Sequence, residues 1–245
     1  MEKAAYNSPT GPLMTPEEFV SESKRNQETG KKFAYCPMCD ERVAPYGVHS
    51  TVVKSRFDHP DRAEGADPLD DCELSNRSGR LGGISIDDLD LAQGKRVRER
   101  FYAPDTLRLA YAFCHRMCGQ GALPRAKFIE MLQRADKKKI WCYVDIELFV
   151  IPYMLLTFEN FTGRRKKDGM EFDFYFALIK LGAADFRTYW TRPEDCRIEK
   201  RFCRTHVPFN NDDNPYPVSE AALLAKVGNT DWIKDSFLRE IIWAA

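Results

Sequence analysis

The 245-residue sequence predicts an α+β fold: a small N-terminal zinc ribbon followed by a mixed, mostly helical domain with a β-hairpin. Three observations carry this. Cys36-Pro37-Met38-Cys39 is a CxxC pair followed by His49, His59 and Cys72, a set of soft ligands that suits a tetrahedral ion. Apolar residues recur at helical spacing from Leu107 to Cys118 and again at Phe128, Ile129 and Leu132. Between Met170 and Phe176, aromatic and charged residues alternate directly after Asp168-Gly169, as in a strand that leaves a tight turn.

Taken in order, residues 1–30 mix Ser, Pro, Gly, Lys and Glu and read as a flexible N-terminal arm. Thr15-Pro16-Glu17-Glu18 within it has the pattern of a capping box. Residues 31–92 form the zinc-ribbon module. Phe33-Ala34-Tyr35 enters the knuckle, Pro45-Tyr46-Gly47 turns, Val48 to Val53 is rich in β-branched residues, and the polar stretch from His59 to Asp71 loops back to Cys72. A ribbon this small has almost no core, so metal supplies on the order of 10 kcal/mol of its folding free energy. Arg80 to Asp88 reads as a linker, and residues 93–245 as the mixed domain.

In that domain Pro104-Asp105 opens a helix that Gly119 ends, with Cys114 and Cys118 on its apolar face, and Pro124 opens a second. Residues 140–161, the most apolar stretch, are the expected core; Asp145 and Glu147 interrupt it with the spacing of one strand face. Ser219 caps a helix over Ala221 to Val227, and Thr230 caps another over Trp232 to Trp243. Cys114, Cys118, Cys196, Cys203 and His206 lack paired knuckles. The sequence reads Cys114 and Cys118 as small core hydrophobes and leaves open whether the five form a second metal site.

Zinc takes four thiolate or imidazole ligands, and Cys36, Cys39, His59 and Cys72 are the preferred set for a structural Zn2+, with His49 as the other imidazole within reach. No acid of the HxE type adjoins a ligand, which argues against a catalytic ion. The run FAYCPMCDERVAPYG, then RFDHP, then Cys72, resembles the zinc-finger module that opens the CoiA-like competence protein family, over residues 33–72. The resemblance implies that His59 is the ligand corresponding to the second His of the family's HFAH motif, with Arg56 in place of the first. It also implies a setting in bacterial or phage DNA metabolism or defence, and a nuclease-like domain built on an Asp and an acid-x-Lys pair. Glu-x-Lys occurs here only at Glu22 to Lys24, in the arm, and no P-loop, GxSxG or HExxH is present.

Formal net charge is zero, but its distribution is uneven. Residues 40–94 carry a balance of −6 and residues 95–139 one of +8. Acidic side chains around a thiolate-bound ion repel phosphate, so polyanion attraction belongs to the basic 95–139 segment: Lys95, Arg96, Arg98, Arg100, Lys137, Lys138 and Lys139. Arg164, Arg165, Lys166 and Lys167 at the hairpin tip form a second basic group. The reading is a non-catalytic zinc-containing binding protein, an accessory factor that engages nucleic acid, a protein partner or both. A pure protein-protein adaptor and a divergent metal-dependent nuclease are the alternatives. Eight cysteines without a signal sequence point to a reducing, cytoplasmic setting, and no apolar run is long enough for a membrane.

Overall fold

The computed structural model describes residues 1–25, 30–75, 89–119, 121–164, 169–180, 188–210 and 214–245. The chain divides into two compact units, Met1–Leu89 and Asp90–Ala245. The sequence places this division at 92/93. The difference arises because Asp90 caps a helix that begins at once: its carboxylate accepts from Ala92 N and Gln93 N. Arg80 to Asp88, read as a linker, lie outside the described residues.

The first unit is built on a sheet in the order β2-β1-β3-β4-β5, with every neighbouring pair antiparallel. Its strands are β1 (Ala4–Tyr6), β2 (Leu13–Met14), β3 (Ala34–Tyr35), β4 (Arg42–Tyr46) and β5 (Arg56–Asp58). Phe57 N donates to Met1 O at 2.8 Å and Met1 N to Phe57 O at 3.2 Å, so the residue leading into β1 bonds to β5 and the sheet curls toward closure. Its inside is filled by small residues, Ala4, Ala5 and Ala34, around Met38, Val43 and Phe57. Helix α1 (Pro16–Arg25) covers this core with Phe19, whose ring meets Tyr6 and Phe57 edge to face, each at 5.8 Å.

Residues 1–25 are therefore part of the module, which corrects the flexible arm expected over 1–30. Two alanines in a three-residue strand bury little area by themselves and give no periodic signal, yet Ala4 and Ala5 are both buried where β1 pairs with β2 and β3. The capping box is formed, with Thr15 N donating to Glu18 Oε2 at 2.8 Å and Glu18 N to Thr15 Oγ1 at 3.3 Å. Val48 to Val53 is a turn and loop, not the strand its β-branching suggests. Gly47 takes φ 74°, Ser50 Oγ accepts from Val52 N and Val53 N, and Val52 is 90% exposed.

The second unit begins with α2 (Leu91–Phe101), α3 (Pro104–Cys118) and α4 (Arg125–Lys137), then a 3-10 turn at Ile140–Cys142 and α5 (Ile151–Thr157). Strands β6 (Asn160–Arg164), β7 (Glu171–Lys180), β8 (Cys196–Phe202) and β9 (Tyr216–Pro217) form an antiparallel sheet in chain order, with α6 (Thr188–Thr191) between β7 and β8. The chain ends in α7 (Glu220–Val227) and α8 (Asp235–Ala244). One sheet face, Phe161, Phe174, Phe176, Leu178 and Ile198, is buried, and α5 packs on β7. Helix α3 lies against α5 and α7 and contributes Leu107, Phe113 and Cys114 to the same core.

The α+β class is thus as predicted, with the alternation over 170–176 resolved as β7. Residues 140–161 are largely buried, but as a turn, a helix and the start of β6. Asp145 and Glu147 share no strand face: both are exposed, and Asp145 has φ 57°, a conformation an aspartate in a turn tolerates. Ser219 caps α7 by accepting Ala222 N. The last helix starts at Asp235 and not after Thr230, because Asn229 holds a turn there: its Oδ1 accepts Asp231 N and its O accepts Trp232 Nε1. Among the described residues, no helix is long and apolar enough to cross a membrane.

Candidate metal centre

Three segments of the first unit bring four side chains to one point. Cys36 follows β3, and the chain then turns back so that Asp40 N donates to Cys36 O at 2.9 Å and Cys36 N to Glu41 O at 2.8 Å. Asp40 takes φ 60° to complete this knuckle and deliver Cys39 beside Cys36. The end of β5 presents His59, one residue past Asp58. The polar loop then returns through a 3-10 turn at Pro68–Asp70, capped by Asp67, whose carboxylate accepts Leu69 N, to deliver Cys72. Arg62 clamps the loop's end by pairing with Asp71, with Nε to Oδ1 at 3.1 Å.

The ligand atoms of Cys36, Cys39, His59 and Cys72 all lie within 4.8 Å of one another. Cys36 Sγ and Cys72 Sγ are 3.7 Å apart, and Cys39 Sγ lies 3.4 Å from His59 Nε2. A disulfide needs about 2.05 Å, so the sulfurs are free thiols gathered without being bonded. Cys36 and Cys72 are buried, whereas Cys39 and His59 are half-exposed. Met38 N–H points at Cys36 Sγ from 3.4 Å, the kind of donor that stabilises a thiolate. Hydrogen bonds from Cys39 and Cys72 push the Cys36 thiol well below its ordinary range, and the same sharing pushes Cys72 up. Cys and His ligands bind a metal in their deprotonated forms, so a cation between these side chains would favour loss of their protons.

His59 turns Nε2 toward the thiols, while its buried Nδ1 has no hydrogen-bond partner among the described residues. The ring is therefore held by what Nε2 faces. His49, the other candidate, is exposed and lines a shallow recess with Val20, Tyr46 and Val53, outside the cluster. Arg56, where the CoiA-like motif has its first His, makes a bidentate pair with Asp58 at 2.7 and 3.1 Å and lies over the Tyr46 ring. Sequence reasoning missed Glu41, whose carboxylate lies 3.9 Å from Cys39 Sγ. Its place two residues after the knuckle was the available signal.

The basic residues are less uniform than their spacing suggests. Lys95, Arg96 and Arg100 are exposed on α2, with Lys95 3.9 Å from Glu99. Arg98 turns inward, makes two 2.8 Å bonds to Asp136 and stacks over Tyr102. Lys138 is 6% exposed and lies over the Phe158 ring, so it is not on the surface where a polyanion would bind. Lys137 is exposed and Lys139 half-buried. Arg164 pairs with Glu171 at 2.8 Å, and Arg165, Lys166 and Lys167 lie outside the described residues.

Among the described residues the group around Cys36 is the only convergence of three or more Cys, His, Asp or Glu ligand atoms. Cys114 is buried and donates to Pro152 O, and burial raises the Cys114 and Cys118 thiols above their usual range. Cys196 is buried at the start of β8 with its thiol on Thr188 O, and Cys203 follows the other end of that strand. His206 bonds Tyr175 Oη through Nδ1 at 3.2 Å. These five make no second cluster. Scans of family models, curated proteins and solved structures each return no match to this chain.

Proposed function

We propose that the chain is a zinc-containing binding protein in which Cys36, Cys39, His59 and Cys72 hold a structural Zn2+ and the second unit engages nucleic acid. The convergence of those four side chains carries the reading. A tetrahedral ion with Zn–S near 2.3 Å and Zn–N near 2.05 Å requires S···S edges of about 3.8 Å and S···N edges of about 3.5 Å. The Cys36–Cys72 and Cys39–His59 separations, 3.7 and 3.4 Å, match these edges, and all four ligand atoms lie within 4.8 Å of one another. Three thiolates and one imidazole are a closed, soft donor set that selects zinc over magnesium or calcium. The bound ion supplies crosslinking of the knuckle, the end of β5 and the returning loop. The likeness of residues 33–72 to the CoiA-like module supports the same assignment and a setting in bacterial or phage DNA metabolism or defence.

The nucleic-acid part rests on Arg96 and Arg100, which are four residues apart on α2 and share one exposed face. Such contacts position a duplex or strand without reading its sequence. Protein purified without chelator is expected to contain one zinc per chain by elemental analysis, and Cys36→Ser to contain much less. Retention on mixed-sequence DNA is expected to fall steeply with salt and to weaken at least tenfold in the Arg96→Glu, Arg100→Glu double variant. Absence of metal in the wild type sinks the zinc reading, and salt-independent or absent retention sinks the DNA reading. In the second case a protein adaptor is the better account, favoured by the −6 balance of residues 40–94 and by the exposed Tyr46, Val52 and Val53.

A further inference from the structure

The four ligands of the proposed zinc site differ in exposure in a way that matters for chemistry. Cys36 is 0% and Cys72 8% exposed, both shielded within the module. Cys39 is the only sulfur of the three that is half-exposed. It sits at the outer corner of the knuckle, beside the Glu41 carboxylate, in a turn whose two cysteines belong to the same four-residue segment. A small oxidant in solution therefore meets Cys39 before it meets Cys36 or Cys72.

From this asymmetry we infer that Cys39 is a peroxide-reactive ligand and that its oxidation releases the ion and opens the first unit. The inference rests on the zinc reading above. In the first step the Cys39 sulfur attacks one oxygen of a peroxide: the S–O bond forms, the O–O bond breaks, and with one proton from solvent the other oxygen leaves as water. In the second, the Cys36 sulfur attacks the Cys39 sulfenic acid. The S–S bond forms and hydroxide leaves. Two thiolates have lost two electrons and one peroxide has gained them. Cys36 is the resolving thiol because it lies in the same turn, so the disulfide closes without recruiting the loop that carries Cys72. A disulfide sulfur is a poor ligand, and His59 with Cys72 alone cannot keep a structural ion. The module would then lose the crosslink between its knuckle, the end of β5 and the returning loop.

The test uses the full chain as purified, with its zinc content measured first. A chelating dye reports zinc release during treatment with hydrogen peroxide, and peptide mapping locates any disulfide. The expected result is release of the bound zinc with loss of two free thiols, a Cys36–Cys39 disulfide, and recovery of zinc binding after a dithiol reductant and added zinc. Cys39→His keeps a four-ligand site of two thiolates and two imidazoles, and is expected to slow peroxide-driven release at least tenfold. Should that variant fail to hold zinc, the disulfide map of the wild type decides the matter. Zinc-loaded wild type that retains its metal under peroxide overturns the inference while leaving the zinc reading intact. A disulfide that excludes Cys39 overturns it as well. Wild type that carries no zinc before treatment removes the underlying reading itself.

Discussion

At the scale of single residues, Gly94 shows how closely α2 lies against the turn at Ile140–Cys142. A Cβ on Gly94 would sit 2.3 Å from Cys142 Sγ and 3.6 Å from its Cα, far inside contact distance. Helical propensity alone favours alanine there by about 1 kcal/mol. The clash wins, because both the side chain and the backbone behind it would have to shift. Gly94→Ala is expected to destabilise the second unit by about 1–3 kcal/mol, read as a lower urea midpoint with unchanged slope. The sequence hides this contact. Only Gly94, Val97 and Phe101 form the buried face of α2, a stripe too thin to stand out among Lys95, Arg96, Arg98 and Arg100. The cluster of Cys36, Cys39, His59 and Cys72 is legible for the opposite reason: a CxxC pair has few other uses in a chain of this kind, and the later His and Cys are few enough to rank.

Among the elements, β1 and α1 have the least conspicuous sequences and a central place in the first unit. Strand β1 sits between β2 and β3, and Phe19 of α1 closes the core over Phe57, two residues before His59. Removing residues 1–25 is expected to leave the four ligands in the chain but to speed zinc loss to a chelator at least tenfold, because the strands that orient them lose their partners. Stopped-flow release from truncated and full-length protein checks this; equal rates would mean that the knuckle stands without its sheet. Thr15 and Glu18 announced α1 in advance through their reciprocal capping bonds. A three-residue strand containing two alanines offers no comparable signal, since its role depends on partners far along the chain. The β6–β7 pair was legible from alternation, and Gly163 beneath the Phe172 ring, where a Cβ would meet it at 2.7 Å, was not.

For the molecule as a whole, the two units divide the sources of stability. The second buries a sheet face and several helices, a core of ordinary domain kind. The first has a smaller core, Phe19, Met38, Val43 and Phe57 among three alanines, and its four gathered Cys and His side chains. Calorimetry of the full chain is therefore expected to show two transitions. A chelator shifts or abolishes only the one belonging to Met1–Leu89, and a single metal-independent transition would contradict this division. On the zinc reading, acidification acts in the same direction: thiolate and imidazole ligands bind metal deprotonated, so protons compete with the ion and the first transition is expected to weaken as pH falls.

The bond between Met1 and Phe57 also sets an order of events during synthesis. Strand β1 can pair with β2 and β3 early, but the Met1–Phe57 bonds wait for β5, and Cys72 is made later still. Until then the thiols of Cys36 and Cys39 travel without their fellow ligands, open to mismetallation. On the zinc reading proposed above, loading of the ion waits for the late arrival of Cys72, and a translational pause upstream of that codon would lengthen the interval in which Cys36 and Cys39 lack it.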